Sequence, residues 1–299
     1  GLRIAFAGTP GFAVPTLRAL LAREGDQVVG VLTQPDRPAG RGRSPRPSPV
    51  KQAAEEAGLP VAQPETLRSE PGRRPLAEWR PDLLVVVAYG LILPEPVLAL
   101  PTLGCLNVHA SLLPAYRGAA PIQRALLDGV TETGVSVQHM VAALDAGPVY
   151  NVRRYSVPAG ATAGEVHDAL AELGAEALNE TVDALKSGRA EAAPQDEAAA
   201  SYAPKLEKAE AQLDWQRSAA ELERAVRAFS PWPVAQVPFG DEVLRLWRVR
   251  PAGAAEAAPG TVVGADPLRV ACGDGTALEL QTVQRPGKQA VSGAGLARG

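Results

Sequence analysis

Leu83-Leu-Val-Val-Val-Ala-Tyr-Gly90 opens with five aliphatic residues in a row and has no polar residue at alternate positions. A strand with that pattern is buried on both faces, which is the condition of an interior strand in a parallel sheet covered by helices. Reading outward from it, RIAFAG at 3–8 is a second short apolar run. A helical pattern follows from Val14 to Glu24, then the run VVGVLT at 28–33, then a helix around Val50 to Ala57. On the carboxyl side come CLNVHAS at 105–111 and GVSVQHM at 134–140. Strand runs alternating with helical patterns predict an α/β fold with a mostly parallel, doubly wound sheet.

Residues 163–186 carry apolar side chains at helical spacing (Val166, Leu170, Leu173, Ala177, Val182, Leu185) and stop at Ser187-Gly188. This helix is expected to close a first domain, 1–187. The stretch GRAEAAPQDEAAASYAPKLEK at 188–208 is rich in Ala, charge and Pro without an apolar period, and reads as a linker. An amphipathic helix at about 217–229 then precedes five short runs, VAQVPF, EVLRLWRV, GTVVGA, LRVACG and ALELQTVQ, separated by turn residues. Such spacing predicts a small antiparallel β-barrel in a second domain, 209–299.

Composition narrows the class further. With 46% hydrophobic and 21% charged residues, 299 residues suit a globular protein of two domains, and no apolar run reaches the roughly 20 residues of a membrane span. GLRIAFAG has no basic region followed by a long apolar stretch, so no secretory signal and a cytoplasmic location are expected. Cys105 and Cys272 are far apart and form no CxxC pair, which points to free thiols and gives no support to a metal site. The formal charge of -3 means that a nucleic-acid partner would have to be held by local basic patches. AGTPGF after the first run lacks the three-glycine fingerprint, and no acidic residue closes the second strand, so a nicotinamide dinucleotide is not expected.

Chemistry concentrates in Asn107-Val-His109-Ala-Ser111-Leu-Leu-Pro114-Ala-Tyr-Arg117-Gly118. Period two on a strand puts Asn107 and His109 on one face, at the carboxyl end where open α/β sheets place their ligands. A single strand histidine is more often a satisfied core residue. Leu144-Asp145-Ala-Gly147 then offers a carboxylate in a turn just after the next strand, although an aspartate in such a turn commonly bonds its own backbone. Together an amide, an imidazole and a carboxylate make an acid/base and oxyanion-stabilising set. Ser111 lacks a GxSxG setting, and Cys105 is expected to pack in the core. Direct transfer to an incoming amine is therefore favoured over a covalent acyl-enzyme.

The segments FAGTPGFA, TQPDRPAGRGR, VVVAYGLILP, LNVHASLLPAYRGAAPIQRALLDG, ETGVSV, LDAGPV, FSPWP and APGTV resemble, in order and across nearly the whole chain, the methionyl-tRNA formyltransferase family of the folate-dependent formyltransferase superfamily. The resemblance implies a Rossmann-like catalytic domain and a carboxyl-terminal barrel of the OB kind. It also implies 10-formyltetrahydrofolate as formyl donor, initiator methionyl-tRNA as acceptor, and Asn107, His109 and Asp145 as catalytic residues. In that reaction the neutral α-amine attacks the formyl carbon. Asn107 and protonated His109 donate to the developing oxyanion, and Asp145 stabilises the imidazolium and helps remove the amine proton. A monomer without a metal is expected. The folate pocket falls on Ala88, Tyr89, Gly90, Leu91, Ile92 and Leu93, on Ser111, Leu112, Leu113 and Pro114, and on Leu144 and Gly147. Leu113-Pro114 is a candidate cis bond. Phe12 either contacts the methionine side chain or packs the first helix. The chain departs from the family pattern at Val141-Ala142-Ala143 and at Pro148, and it closes at SGAGLARG before the family's usual tail.

The loop QPDRPAGRGRSPRPSPVK at 34–51 carries Arg37, Arg41, Arg43, Arg46 and Lys51 against Asp36 alone. Five prolines and two glycines predict an exposed excursion without regular strand or helix. Planar guanidinium groups suit phosphate and base contacts. Because the family resemblance includes PDRPAGRG, Arg41 is expected to be the principal contact to the tRNA acceptor end, with Arg43 supporting it and Arg248, Arg250 and Lys288 of the barrel as further phosphate contacts. Other readings of the same residues are a formyltransferase acting on an amino sugar nucleotide or another small amine, a formyl-folate hydrolase, and, from the barrel alone, a non-enzymatic RNA-binding module.

Overall fold

The computed structural model describes residues 1–299 apart from Gly40, Arg41 and Arg43. Its elements begin with β1 (Arg3–Gly8), α1 (Val14–Leu21) and β2 (Gln27–Leu32). Next come β3 (Arg37–Ala39), β4 (Ser44–Arg46), α2 (Pro49–Glu56), β5 (Val61–Ala62), α3 (Glu70–Trp79), β6 (Leu83–Val87), α4 (Glu95–Leu98) and β7 (Cys105–His109). After α5 (Pro121–Leu127) follow β8 (Glu132–His139), β9 (Val149–Ser156) and α6 (Ala163–Lys186). The carboxyl-terminal part holds α7 (Ala219–Ala228), β10 (Ala235–Phe239), β11 (Glu242–Ala254), β12 (Val262–Ala265), β13 (Leu268–Ala271), β14 (Thr276–Gln284), β15 (Ala290–Ser292) and α8 (Gly293–Arg298).

The first sheet has the order β5-β2-β1-β6-β7-β8-β9. From β5 to β7 all pairs are parallel, as the unalternating apolar runs predict. Ile4 and Phe6 are as fully buried as their neighbours Ala5 and Ala7, so β1 is covered on both faces. Ala5 and Ala7 face a core with Leu84, Val86, Tyr89 and Cys105. The 134–140 run differs from expectation in direction: β8 pairs antiparallel with β7, and β9 antiparallel with β8. A buried apolar run specifies two covered faces and leaves strand direction open. The chain reverses its direction of travel across the sheet between β1 and β6, which places a ligand crevice at their carboxyl ends. There Thr9 Oγ1 and Gln34 Nε2 both donate to the Tyr89 carbonyl, at 2.9 and 3.0 Å.

The loop at 34–51 also differs from expectation. β3 and β4 pair antiparallel, Arg37 with Arg46 and Pro38 with Pro45. Prolines are tolerated there because each strand of a two-stranded ribbon has a free edge on which a missing N–H costs no ladder bond.

Two compact units interleave along the sequence: Gly1–Gly118, Glu132–Ser156 and His167–Tyr202 in one, Ala119–Thr131, Val157–Val166 and Ala203–Gly299 in the other. The segments 119–131 and 157–166, which a division at 187 assigns to the first domain, thus pack with the second unit. Within that unit α5 lies against α7, and Arg224 Nε donates to the Leu127 carbonyl at 3.1 Å. Its antiparallel sheet runs β10-β11-β14-β13-β12, with β15 beside β14, six strands where five are legible in the sequence. Leu222 and Val226 of α7, with Phe229 just after it, pack on Leu244, Leu246, Leu278 and Leu280. The Leu113-Pro114, Ser230-Pro231, Trp232-Pro233 and Asp266-Pro267 bonds are cis, the first as anticipated.

Candidate active site

β7 delivers Asn107 and His109 to the carboxyl end of the sheet, and both belong to the first unit with Asp145. Gln138 on β8 lies directly across from Asn107 in the ladder and ties the group together. Its Nε2 donates to Asn107 Oδ1 and to Asp145 Oδ1, each at 3.0 Å, and its Oε1 accepts from the Gly147 amide at 3.2 Å. Asn107 Nδ2 gives one hydrogen to the Val86 carbonyl at 3.0 Å. An amide nitrogen carries two hydrogens, and among the described residues the second has no partner.

His109 is 7% exposed. Its Nε2 lies 2.8 Å from the Tyr116 carbonyl, so that nitrogen is the donor, and Nδ1 faces Asp145 Oδ2 at 3.7 Å. With Nε2 committed to a carbonyl, Nδ1 is the ring nitrogen that faces the carboxylate. Asp145 Oδ2 also accepts from the Gly118 amide at 2.8 Å. Gly118 has φ 116, a region that side chains other than hydrogen rarely enter. Ala88, Tyr116 and Asp145 adopt positive φ without being glycine, and such conformations persist where surrounding structure over-determines them.

The candidate nucleophiles are inert. Ser111 is fully buried and donates its hydroxyl to the Ala115 carbonyl at 2.6 Å. Burial pushes the Cys105 thiol up to about 12, against a thiolate at neutral pH.

Of the expected folate pocket, Ala88, Gly90, Ile92 and Leu144 are exposed, the last two at 66% and 65%. Leu91, Leu112, Leu113 and Pro114 are half-buried, whereas Tyr89 and Leu93 turn into the core and Gly147 is buried. Gly147 is required sterically, since a Cβ there would lie 1.7 Å from the His139 carbonyl oxygen. A cavity of about 330 Å³ next to this region is lined by Leu113, Pro114, Val149, Tyr150 and Gln195. Phe12 is 7% exposed and meets the ring of His167, on α6, edge-on at 5.3 Å.

Among the basic residues, Arg37 and Arg46 are exposed on the ribbon, while Lys51 pairs with Asp36 at 3.0 Å. Arg41 and Arg43 lie outside the described residues. Arg248, Arg250 and Lys288 are exposed in the second unit, Arg250 paired with Glu279 at 2.9 Å. Sequence reasoning missed Gln138, Arg117 and Gln195. Gln138 carried a signal, being a polar residue in a run that must be buried on both faces. Gln195 carried none, because it sits in a stretch without apolar period.

Residues 2–182 match the family Formyl transferase, and residues 205–299 match Formyl transferase, C-terminal domain. The class is thus a formyl transferase whose site offers an amide, an imidazole and a carboxylate. More narrowly, the chain belongs to the methionyl-tRNA formyltransferase family, and its reaction is formyl transfer to methionyl-tRNA. It is 53% identical over 293 residues to the methionyl-tRNA formyltransferase of Methylococcus capsulatus, covering 97% of this chain and 94% of that one. It is 52% identical over 297 residues to that of Stenotrophomonas maltophilia, covering 98% and 96%. The fold is shared with an N-formyltransferase from Helicobacter canadensis solved in complex with folinic acid and dTDP-3-aminofucose. That match has a TM-score of 0.68 at 13% identity and covers 95% of this chain and 100% of that one.

Proposed function

We propose that Asn107, His109 and Asp145 carry the transfer of a formyl group from 10-formyltetrahydrofolate to the α-amine of methionine on initiator tRNA. The observation that carries this reading is the Gln138 bridge, which sets an amide hydrogen and an imidazole–carboxylate pair side by side at the crevice end of the sheet. The amine nitrogen forms a bond to the formyl carbon, and the bond from that carbon to the donor nitrogen breaks. Asn107 Nδ2 donates to the formyl oxygen as it gains charge. His109 Nδ1 takes the proton lost by the amine, and the resulting imidazolium, facing Asp145, returns it to the departing donor nitrogen. A preorganised donor of this kind contributes roughly 10² to 10³ in rate, and placed proton transfer about 10² to 10⁴.

Ile92 and Leu144 suit the flat faces of a pterin ring, since large apolar side chains left open beside polar backbone make a ligand wall. The folinic acid in the Helicobacter protein is consistent with a folate donor. In this reading 1–187 is the catalytic domain and 209–299 supports tRNA binding. Arg37, Arg41, Arg43, Arg46 and Lys51 contact the acceptor arm, and Arg248, Arg250 and Lys288 contact phosphates further away. The protein would act in the cytoplasm as a monomer. Among the described residues no helix is long and apolar enough to cross a membrane. The test is to supply 10-formyltetrahydrofolate with methionyl-initiator tRNA or with an amino sugar nucleotide. Formyl label on the methionine amine alone is expected. Label on the sugar amine, or on neither, would overturn the reading.

A further inference from the structure

We infer that Gln195 is a positioning residue for the transfer, holding Asp145 in its working conformation through the backbone of the 144–147 turn. The inference rests on the catalytic role proposed for Asp145. Residues Val141 to Leu144 are exposed, so the loop has little packing to define it, yet Asp145 stands at φ 49 with its carboxylate committed at both oxygens. A left-handed non-glycine residue needs support from outside its own segment. Gln195 supplies it. Its Nε2 donates to the carbonyls of Asp145 at 2.8 Å and Gly147 at 2.7 Å, one amide hydrogen to each side of Ala146.

The orientation of that amide is imposed from behind. Gln195 Oε1 accepts from Arg117 Nε and Nη2, at 3.1 and 2.8 Å. Arg117 is 2% exposed and also donates to both oxygens of Glu197, at 2.8 and 2.9 Å. Hydrogen bonding to that carboxylate, against the cost of burial, holds the guanidinium above its usual pKa, so it remains a donor at every pH of interest. Reversing the Gln195 amide would set its NH₂ against a guanidinium and its oxygen against two carbonyls, so one orientation is allowed.

The segment carrying Gln195 is stitched down independently of that amide. Val149 and Ala193 exchange backbone bonds at 2.8 and 2.9 Å. The Ser201 amide donates to the Pro114 carbonyl at 3.1 Å, and Ser201 Oγ accepts from the Tyr116 amide at 2.9 Å. The strap therefore presents two donors to the backbone of a turn whose side-chain carboxylate and Gly147 amide are held separately by Gln138 and Gly118, which is how a supporting residue acts on one proposed to do chemistry.

The competing account is that Gln195 only satisfies the buried guanidinium. Gln195→Glu separates the two, because a carboxylate keeps, and adds charge to, the bond with Arg117 while removing both donors to the loop. The experiment measures kcat for formylation of methionyl-tRNA, with 10-formyltetrahydrofolate saturating, in Gln195→Glu, Asp145→Asn and the double variant, alongside thermal melting. We expect Gln195→Glu to melt like the unsubstituted protein and to lose on the order of 10- to 100-fold in kcat, the scale of a small misplacement of a catalytic group. In the Asp145→Asn background the same change should cost almost nothing, because residues acting as a unit are not additive. Unchanged kcat in folded Gln195→Glu, or an undiminished loss on top of Asp145→Asn, would overturn the inference. Should Gln195→Glu melt early, Gln195→Met removes the donors without adding charge and is read in the same way. Asp145→Asn turning over at the unsubstituted rate would instead sink the role proposed for Asp145, which keeps the two failures apart.

Discussion

The cluster proposed to be catalytic and the basic ribbon belong to the same compact unit and are built in opposite ways. Asn107, His109 and Asp145 spend nearly all of their polar atoms on partners inside the protein, through Gln138, Gly118, Val86 and Tyr116. Arg37 and Arg46 stand exposed on three-residue strands, and Arg37 has one long bond to Gln34 at 3.4 Å. The contrast fits what each region is proposed to do. Stabilising a charge that exists only during reaction requires donors already aimed at it, since reorienting them then costs rate. Gripping phosphates requires charges not yet neutralised by the protein, because affinity comes from displacing counterions.

The largest effect should come from the fixed region. His109→Ala is expected to lower kcat by about 10² to 10⁴ while circular dichroism stays native. A folded His109→Ala protein with ordinary turnover would mean that tight local bonding does not mark the catalytic group. Next, Gln138→Met keeps the length of the side chain but cuts the bridge between Asn107 and Asp145. We expect kcat to fall on the order of 10²-fold, since both groups lose their aim together. If kinetics show a change confined to the KM for tRNA, the bridge orients nothing. In the open region the expected signature is salt dependence. Arg37→Ala with Arg46→Ala should raise the KM for tRNA and reduce the slope of log affinity against log salt by about 1 to 2, one unit or less per lost phosphate contact. An unchanged slope would leave the ribbon without a part in binding.

The smallest effect lies away from both regions, at Asp26. Desolvation pushes this carboxyl up, but hydrogen bonds from Lys186 at 2.8 Å, the Leu2 amide at 2.8 Å and Arg23 at 2.9 Å outweigh it and hold the pKa at about 2. A depressed acid stabilises the fold above its unfolded pKa and loses that contribution as pH falls through the folded value. Roughly 2 kcal/mol should therefore disappear between about pH 4 and pH 2. Asp26→Asn should flatten acid unfolding in that window, and an equally steep curve in the variant would assign the transition to other carboxylates.

Much of the fold could be read from residue pattern because burial on two faces leaves a direct trace: Leu83 to Val87 can be little else than an interior strand. Strand direction left no such trace, so β8 and β9 had to be seen. The ribbon escaped notice because its prolines read as breakers, and only a two-stranded pairing with free edges accommodates them. At the site, period two was enough to set Asn107 beside His109, and a turn signal was enough to suggest Asp145. The bonds that aim them were not legible. Gln138 acts across a ladder whose register the sequence does not state, and Gln195 reaches the site from 50 residues beyond Asp145, through a stretch whose order depends on Arg117 and Ser201.

The most direct test of the central claim is single-turnover transfer from 10-formyltetrahydrofolate to methionyl-initiator tRNA by Asn107→Ala, measured together with equilibrium binding of the donor. If the free amide hydrogen of Asn107 stabilises the charge on the formyl oxygen, the donor should still bind while transfer slows by roughly 10² to 10³. Transfer at the unsubstituted rate in a folded Asn107→Ala protein would contradict the account.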